Sequence, residues 1–427
     1  MGGGRTMSVK TASLEFAYGD HRLRVDVPQP NLLGVFSPRH APPPDDAAAL
    51  LYAALQAPIG TPPLRALARA GQRVAVVISD LTRPCPSAQL LPPILAELTA
   101  AGVTDSAITI IIALGLHRPM TDAEVEAAVG HDIAQRVRVL NHDPADTVHL
   151  GVTTAGTPVE FFRPLVDADL RVCLGNLEFH YFAGFSGGAK AILPGCASRA
   201  TINANHAMMA HPDARAGRVD NNPVRRDIEE GVAMLGADFM VNVVVDEAHR
   251  ITAAVAGDVI AAHRVGCDMI RQRGALPIPQ RADVVLAGAG GWPKDVNLYQ
   301  AQKALENASY AVRPGGAIVL FAECREGFGS PTFEAWMRET ASADDILARI
   351  QQGFVIGGHK AAAIAAVLQR ARLYLVSSMA DDALPRLGIR LCHDAAEAVA
   401  RALAEAGPGA TVLALPDAGS SLPLVAE

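Results

Sequence analysis

No apolar run in this 427-residue chain approaches the ~20 residues needed to cross a bilayer. The strongest, Ala107 to Leu116 (AITIIIALGL), is half that length and reads as a buried strand. There is no C-x-x-C pair: Cys85, Cys173, Cys196, Cys267, Cys324 and Cys392 are scattered singly. Scattered cysteines read as buried free thiols rather than a disulfide framework or a thiolate metal site. Aromatics are scarce at 5%, and there is no basic excess, the formal net charge being −7. That balance argues against nucleic-acid and anionic-membrane partners and leaves a small anionic ligand open, which needs only local positive charge. The start, MGGGRTMSVK, carries one Arg and no apolar stretch. It is expected to be a loose leader or a misplaced start with Met7 the true one, and a cytoplasmic location is expected.

Half the residues are hydrophobic and 19% are charged, so the chain has a large surface to bury. The length suits two or three domains. Strand and helix patterns alternate. Arg73–Asp80 and Ala107–Gly115 are expected strands, and Leu90–Gly102 has amphipathic helical spacing. Thr121 and Glu124 mark a capping box for a helix closed by Gly130. Ala41–Asp45 is a Pro-rich loop before a helix. A second series begins near Arg281, with a strand and glycine loop, a helix from Asn297, a strand in AIVLFAEC and another at Ala371–Ser378. This order predicts an α/β protein of two domains with mainly parallel sheets. The expected division is 1–275, then 281–400 after the Pro-rich junction Gly274–Ala282. Residues 401–427 form a C-terminal segment that returns to either domain, the N-terminal one included.

In open parallel sheets, ligands bind at the carboxyl ends of the strands, so the loops there carry the chemistry. Asp80-Leu-Thr82-Arg83-Pro84 follows the first strand. Arg83 reads as a planar fork for a carboxylate or as an arginine paired with a helix end. Gly115-Leu-His117-Arg-Pro follows the second strand, and His117 suits an acid/base role or a loop hydrogen bond. Gly175–Met209 is denser, with His180, then Ser186-Gly187-Gly188-Ala-Lys190, then His206. A Ser-Gly-Gly turn can aim backbone N–H groups at an anion, and Lys190 adds a charge or an amine nucleophile. The Walker A spacing is absent, as is H-E-x-x-H. Tyr299, Gln300 and Lys303 lie on a helix where Gln300 and Lys303 can share a face, solvated or functional. Gly357-Gly-His359-Lys360 is either a turn with a helix start or a further site.

Taken in order, these motifs resemble the nickel-pincer lactate racemase family: D-x-T-R-P at Asp80, G-x-H-R-P at Gly115, E-F-H at Glu178, S-G-G-x-K at Ser186, Asn205-His206, N-x-Y-Q-x-x-K at Asn297 and G-G-H-K at Gly357. The match spans nearly the whole chain. The resemblance implies an isomerase, a 2-hydroxyacid racemase or epimerase, with its active site in the cleft between the domains. Its cofactor would be a nickel-pincer nucleotide (pyridinium-3,5-bisthiocarboxylic acid mononucleotide nickel) tethered to Lys190, with His206 as the protein's ligand to Ni. By the same resemblance His117 and His180 are the acid/base pair. Arg83, Tyr299, Gln300 and Lys303 bind substrate, while Asp80, Thr82, Ser186, Gly187 and Gly188 hold ribose and phosphate. The implied partners are a small 2-hydroxy acid and the cofactor-making enzymes, with a homo-oligomer left open. Two other readings stand beside it: a Schiff-base lysine enzyme on a carbonyl substrate, and a non-catalytic binder of a nucleotide or 2-hydroxy acid.

Overall fold

The computed structural model describes residues 10–38, 46–246, 248–353, 355, 357–384 and 386–425. The expected leader at residues 1–9 and the Pro-rich loop Ala41–Asp45 lie outside them. The chain folds into two compact units, one of residues 40–273 and one of 1–39 with 274–427.

The unit of residues 40–273 is built on a six-stranded sheet. Its strands are β1 (Val74–Ser79), β2 (Ile108–Ala113), β3 (Arg138–Asn141), β4 (Leu170–Asn176), β5 (Phe239–Val245) and β6 (Ile251–Gly257), in the spatial order β6-β5-β4-β1-β2-β3. All pairings are parallel except β5 with β6. Val74, Val76 and Ile78 point into one core with Leu90, Leu91 and Ile94 of helix α1 (Ser87–Ala100). Ala75 and Val77 face a second core with Ile192, Leu193 and Ile228. The strands are apolar on both faces, as expected of a parallel sheet covered by helices on both sides. The Thr121–Glu124 capping box forms as expected and opens the helix Asp122–Val129. Three further helices bear on the site: α2 (Arg199–Ala207), α3 (Pro223–Leu235) and α4 (Ala261–Gly274).

The other unit carries a second six-stranded sheet, all parallel. Its strands are β7 (Ala282–Gly288), β8 (Val312–Phe321), β9 (Arg372–Val376), β10 (Arg390–Cys392), β11 (Val412–Leu415) and the early strand Leu32–Val35. Helix α5 (Leu298–Ala308) starts at Asn297, whose side chain accepts from the Gln300 amide, and helix α6 spans Gly358–Leu368. Two expectations change here. Residues 10–38 belong to this unit: the hairpin Thr11–Tyr18/His21–Pro28 buries Leu14, Phe16 and Val25 against Val284, Leu286 and Val319. Residues 401–427 also stay in this unit, because β11 inserts between β7 and Leu32–Val35 and Leu422–Val425 pairs with Ala275–Ile278. Sheet edges separated by hundreds of residues in sequence leave no local signal.

Among the described residues no helix is long and apolar enough to cross a membrane. All six cysteines are free thiols. Burial pushes the Cys173 thiol up to about 12, which makes it a core residue without reactivity.

Candidate functional site

The carboxyl ends of β1, β2 and β4 bring together most of the side chains singled out in the sequence. Asp80 follows β1 and is buried. Its Oδ2 accepts from His117 Nδ1 at 2.5 Å, and its Oδ1 accepts from the Thr82 hydroxyl at 2.7 Å and the Thr82 amide at 3.2 Å. Burial raises the Asp80 carboxyl, but His117, Thr82 and Arg83 outweigh it and leave the group below the usual carboxylate range. Both oxygens are therefore engaged within the protein. In the structure Asp80 and Thr82 are joined to each other and to His117, an arrangement in which Asp80 orients the imidazole and Thr82 steadies Asp80. A Nδ1–H donated to a carboxylate leaves Nε2 with a lone pair, the arrangement of an oriented base.

His180, on the short strand Phe179–His180, is buried. The Ala183 amide donates to its Nδ1 at 3.3 Å, so the proton of the neutral ring sits on Nε2. Burial, reinforced by the charges of Lys190, Arg83, Arg225 and His206, holds it well below the usual 6.5. The Phe182 ring lies edge-on to His180 at 4.6 Å and tilted against His206 at 4.9 Å, so the two imidazoles flank one aromatic ring. His206 projects from α2, whose Asn205 donates to Asp227 of α3 at 2.8 Å. Lys190 sits on the turn Gly188–Ala191 with 9% exposure. Burial, with Arg83 and Arg225 adding and Glu178 opposing, holds its amine well below the usual 10.5.

The Ser186-Gly187-Gly188 turn supports Lys190. Ser186 Oγ donates to the Asn176 carbonyl at 2.7 Å and accepts from the Glu178 amide, and the Gly188 amide donates to Asn242 Oδ1 at 2.8 Å. A Cβ on Gly187 would lie 2.4 Å from Asn242 Oδ1, and one on Gly188 would lie 2.8 Å from the His263 ring. Both glycines also have φ in the left-handed region, 74° and 60°. These glycines answer to packing and backbone shape, and the Ser186 hydroxyl and the Gly188 amide make internal bonds that hold the turn.

Three supporting residues went unread in the sequence: Asn242, His263 and Arg225. His263 Nε2 donates to the Ser186 carbonyl at 2.9 Å. Arg225 is fully buried and donates to the carbonyls of Ala183 (3.2 Å), Gly187 (3.5 Å) and Phe185. Burial pushes its guanidinium down to about 10. Each lies inside a regular element, where its residue type carries no local signal. Arg225→Met is expected to lower the thermal midpoint by about 5–10 °C, because buried carbonyls lose a charged donor worth about 2–3 kcal/mol. A melt within 2 °C of wild type, read by circular dichroism, would show that the clamp contributes little (about 0.5–1 kcal/mol).

Arg83 Nη1 donates to Glu178 Oε1 at 3.2 Å, and the rest of its fork is half-exposed. Beside it opens a cavity of about 540 Å³ lined by Arg83, Cys85, Gln89, His249, Arg250 and Ile251, among others. In the other unit, α5 places Gln300 and Lys303 on its exposed face and Tyr299 half-buried. Among the described residues no group of three His, Cys, Asp or Glu side chains is arranged to hold a metal ion. A metal brought by a chelating group, by contrast, needs few protein donors, and an imidazole suits nickel.

A doubly covered parallel sheet, with a buried lysine whose amine is held well below its usual range and two imidazoles at its carboxyl edge, is the framework of an α/β protein whose polar groups gather at one end of the strands. Comparison with known proteins narrows the class. The model of the lactate racemase N-terminal domain matches residues 18–217, and that of the C-terminal domain matches 278–422. The lactate racemase of Thermoanaerobacterium thermosaccharolyticum is 34% identical over 346 residues, 79% of this chain and 81% of the relative. That of Lactiplantibacillus plantarum is 33% identical over 376 residues, 85% and 88% of the two chains. The solved apoprotein from T. thermosaccharolyticum superposes with a TM-score of 0.87 at 30% identity, covering 97% of this chain and all of the other. The chain belongs to the lactate racemase family, and its activity class is that of an isomerase.

Proposed function

We propose that the protein inverts the hydroxyl-bearing carbon of a 2-hydroxy acid, lactate or a relative with a larger side chain, using a nickel-pincer nucleotide joined to Lys190. The observation that carries this reading is Lys190 itself. An ammonium buried beside Arg83 and Arg225 is costly, and its pKa falls accordingly. A thioamide at the same atom is neutral, so a tether removes the conflict that the free lysine carries. His206 would be the single protein donor to nickel, which accepts an imidazole beside the ligand atoms that the nucleotide provides. Bound there, the nucleotide supplies a carbon able to take hydride from the substrate and return it to the opposite face.

The chain's own residues supply the rest. Arg83, steadied by Glu178, holds the substrate carboxylate through the free side of its fork. His117, oriented by Asp80, takes the hydroxyl proton as a planar 2-keto acid forms. His180, neutral with its proton on Nε2, serves the opposite orientation of the hydroxyl. Tyr299, Gln300 and Lys303 are assigned to substrate binding. The cavity beside Arg83 leaves room for a side chain beyond a methyl group. Six unpaired cysteines fit a cytoplasmic setting, where the cofactor-making enzymes would be its partners.

The test is to purify the protein from cells with and without cofactor biosynthesis, and to follow single enantiomers of lactate, malate, aryl-lactates and sugar acids by circular dichroism in D2O. The expected result is an added mass on Lys190, nickel in equal amount, and racemisation without deuterium at the inverted carbon. Nickel-loaded protein that inverts no 2-hydroxy acid would sink the reading. The depressed Lys190 amine also suits a Schiff base. That alternative predicts borohydride trapping of a carbonyl substrate on Lys190 and deuterium at the carbon.

A further inference from the structure

The Gly357–Lys360 run, which the reaction leaves without a role, meets Tyr299 in the structure. Gly357 adopts φ 90° at the start of α6, and a Cβ on Gly358 would lie 2.7 Å from the Trp336 ring, so both glycines are required for the helix to begin here. His359 Nδ1 accepts from the Gly357 amide at 3.2 Å and its ring meets Tyr299 at 89°, with centroids 6.2 Å apart. Lys360 is buried, with Nζ 5.2 Å from the centre of the Tyr299 ring. The same Nζ donates to Gln302 Oε1 at 2.9 Å, and Gln302 Nε2 donates to Glu306 Oε2 at 3.2 Å. Phe333 closes another side of the tyrosine at 5.8 Å.

Tyr299, Gln302 and Glu306 form a stripe along α5 at helical spacing, while Gln300 and Lys303 stand on the exposed face. Gripping the inner stripe fixes the rotation of the helix, and with it the direction of the outer pair. A buried lysine costs more than a methionine of the same length unless its charge is answered. Here it is answered by an amide oxygen and an aromatic face, both on α5.

We propose that Gly357–Lys360 is a positioning element for α5, in which Lys360 and His359 set the Tyr299 ring and thereby the affinity for substrate. The inference rests on the assignment of α5 to substrate binding, and its test separates the two. The protein would be labelled with 3-fluorotyrosine, giving six 19F resonances, with Tyr299 assigned through Tyr299→Phe. In Lys360→Met the Tyr299 resonance is expected to shift or broaden while the other five hold. KM should rise about tenfold with kcat within about twofold, and Lys360→Arg should restore part of both. His359→Ala, at a partly exposed position, gives a smaller shift in the same resonance and serves if Lys360→Met fails to fold. An unmoved Tyr299 resonance in both variants overturns the positioning role. A moved resonance with unchanged KM keeps the grip on the ring but overturns its proposed effect on substrate affinity.

Discussion

Lys190→Met is expected to abolish racemisation while raising the thermal midpoint of cofactor-free protein. The two effects have one cause. Lys190 is buried with positive neighbours, and among the described residues its Nζ makes no hydrogen bond or ion pair. A buried polar group without a partner costs roughly 1–3 kcal/mol, which a methionine of similar length recovers. The midpoint should climb about 2–4 °C for each kcal/mol regained. The pH dependence has a definite sign. The folded-state pKa lies below the unfolded value near 10.5. Between those values the unfolded chain binds more protons, so stability rises with pH through that window. Wild-type apoprotein should therefore gain stability from neutral pH toward pH 10 by up to about 1.4 kcal/mol per unit, and Lys190→Met should lack that slope. Activity should fall on the order of 10³-fold or more, with no added mass on the chain. A variant that racemises within tenfold of wild type, or melts several degrees lower, would show that this amine is neither tether nor burden.

Asp80→Asn should cost about 10²- to 10⁴-fold in kcat with little change in melting behaviour. The carboxylate receives the His117 Nδ1–H through Oδ2 and the Thr82 hydroxyl and amide through Oδ1. With Thr82 holding the oxygen of an asparagine, an NH2 group would face His117 and force its Nδ1 to accept. The ring proton then moves to Nε2, the atom needed as a base. The wild-type pair also has an acid limit. Asp80 lies below its usual 3.8, so the stability it contributes is present above that value and fades as pH falls through the folded-state pKa. Asp80→Glu, which keeps the charge, should recover part of the rate. An Asp80→Asn enzyme within threefold of wild type would remove Asp80 from the orientation of His117.

What the sequence disclosed followed from locality. The capping pair Thr121 with Glu124 acts within four residues and was visible as spacing. The loops bearing His117, His180 and Lys190 were legible because parallel sheets collect chemistry at their carboxyl ends. Hydrogen-bond roles were not legible. Nothing in D-x-T-R-P tells whether Asp80 meets a sugar hydroxyl or the ring of His117, 37 residues away. Arg225 was hidden for the same reason, since it reaches carbonyls about 40 residues earlier from the first turn of an amphipathic helix. The expected place of residues 10–38 failed because Leu32–Val35 finds its partner at Val412–Leu415, and no pattern within either strand names the other.

That last pairing has a consequence for how the chain is made. The unit of residues 40–273 that bears the site leaves the ribosome as one continuous piece and can close its core while synthesis proceeds. The other sheet cannot. Strand β7 waits for β11 as its neighbour, and β11 is made more than a hundred residues later. The early strand Leu32–Val35 must stay unpaired until Val412–Leu415 is made, an open edge that a nascent-chain chaperone is suited to shield.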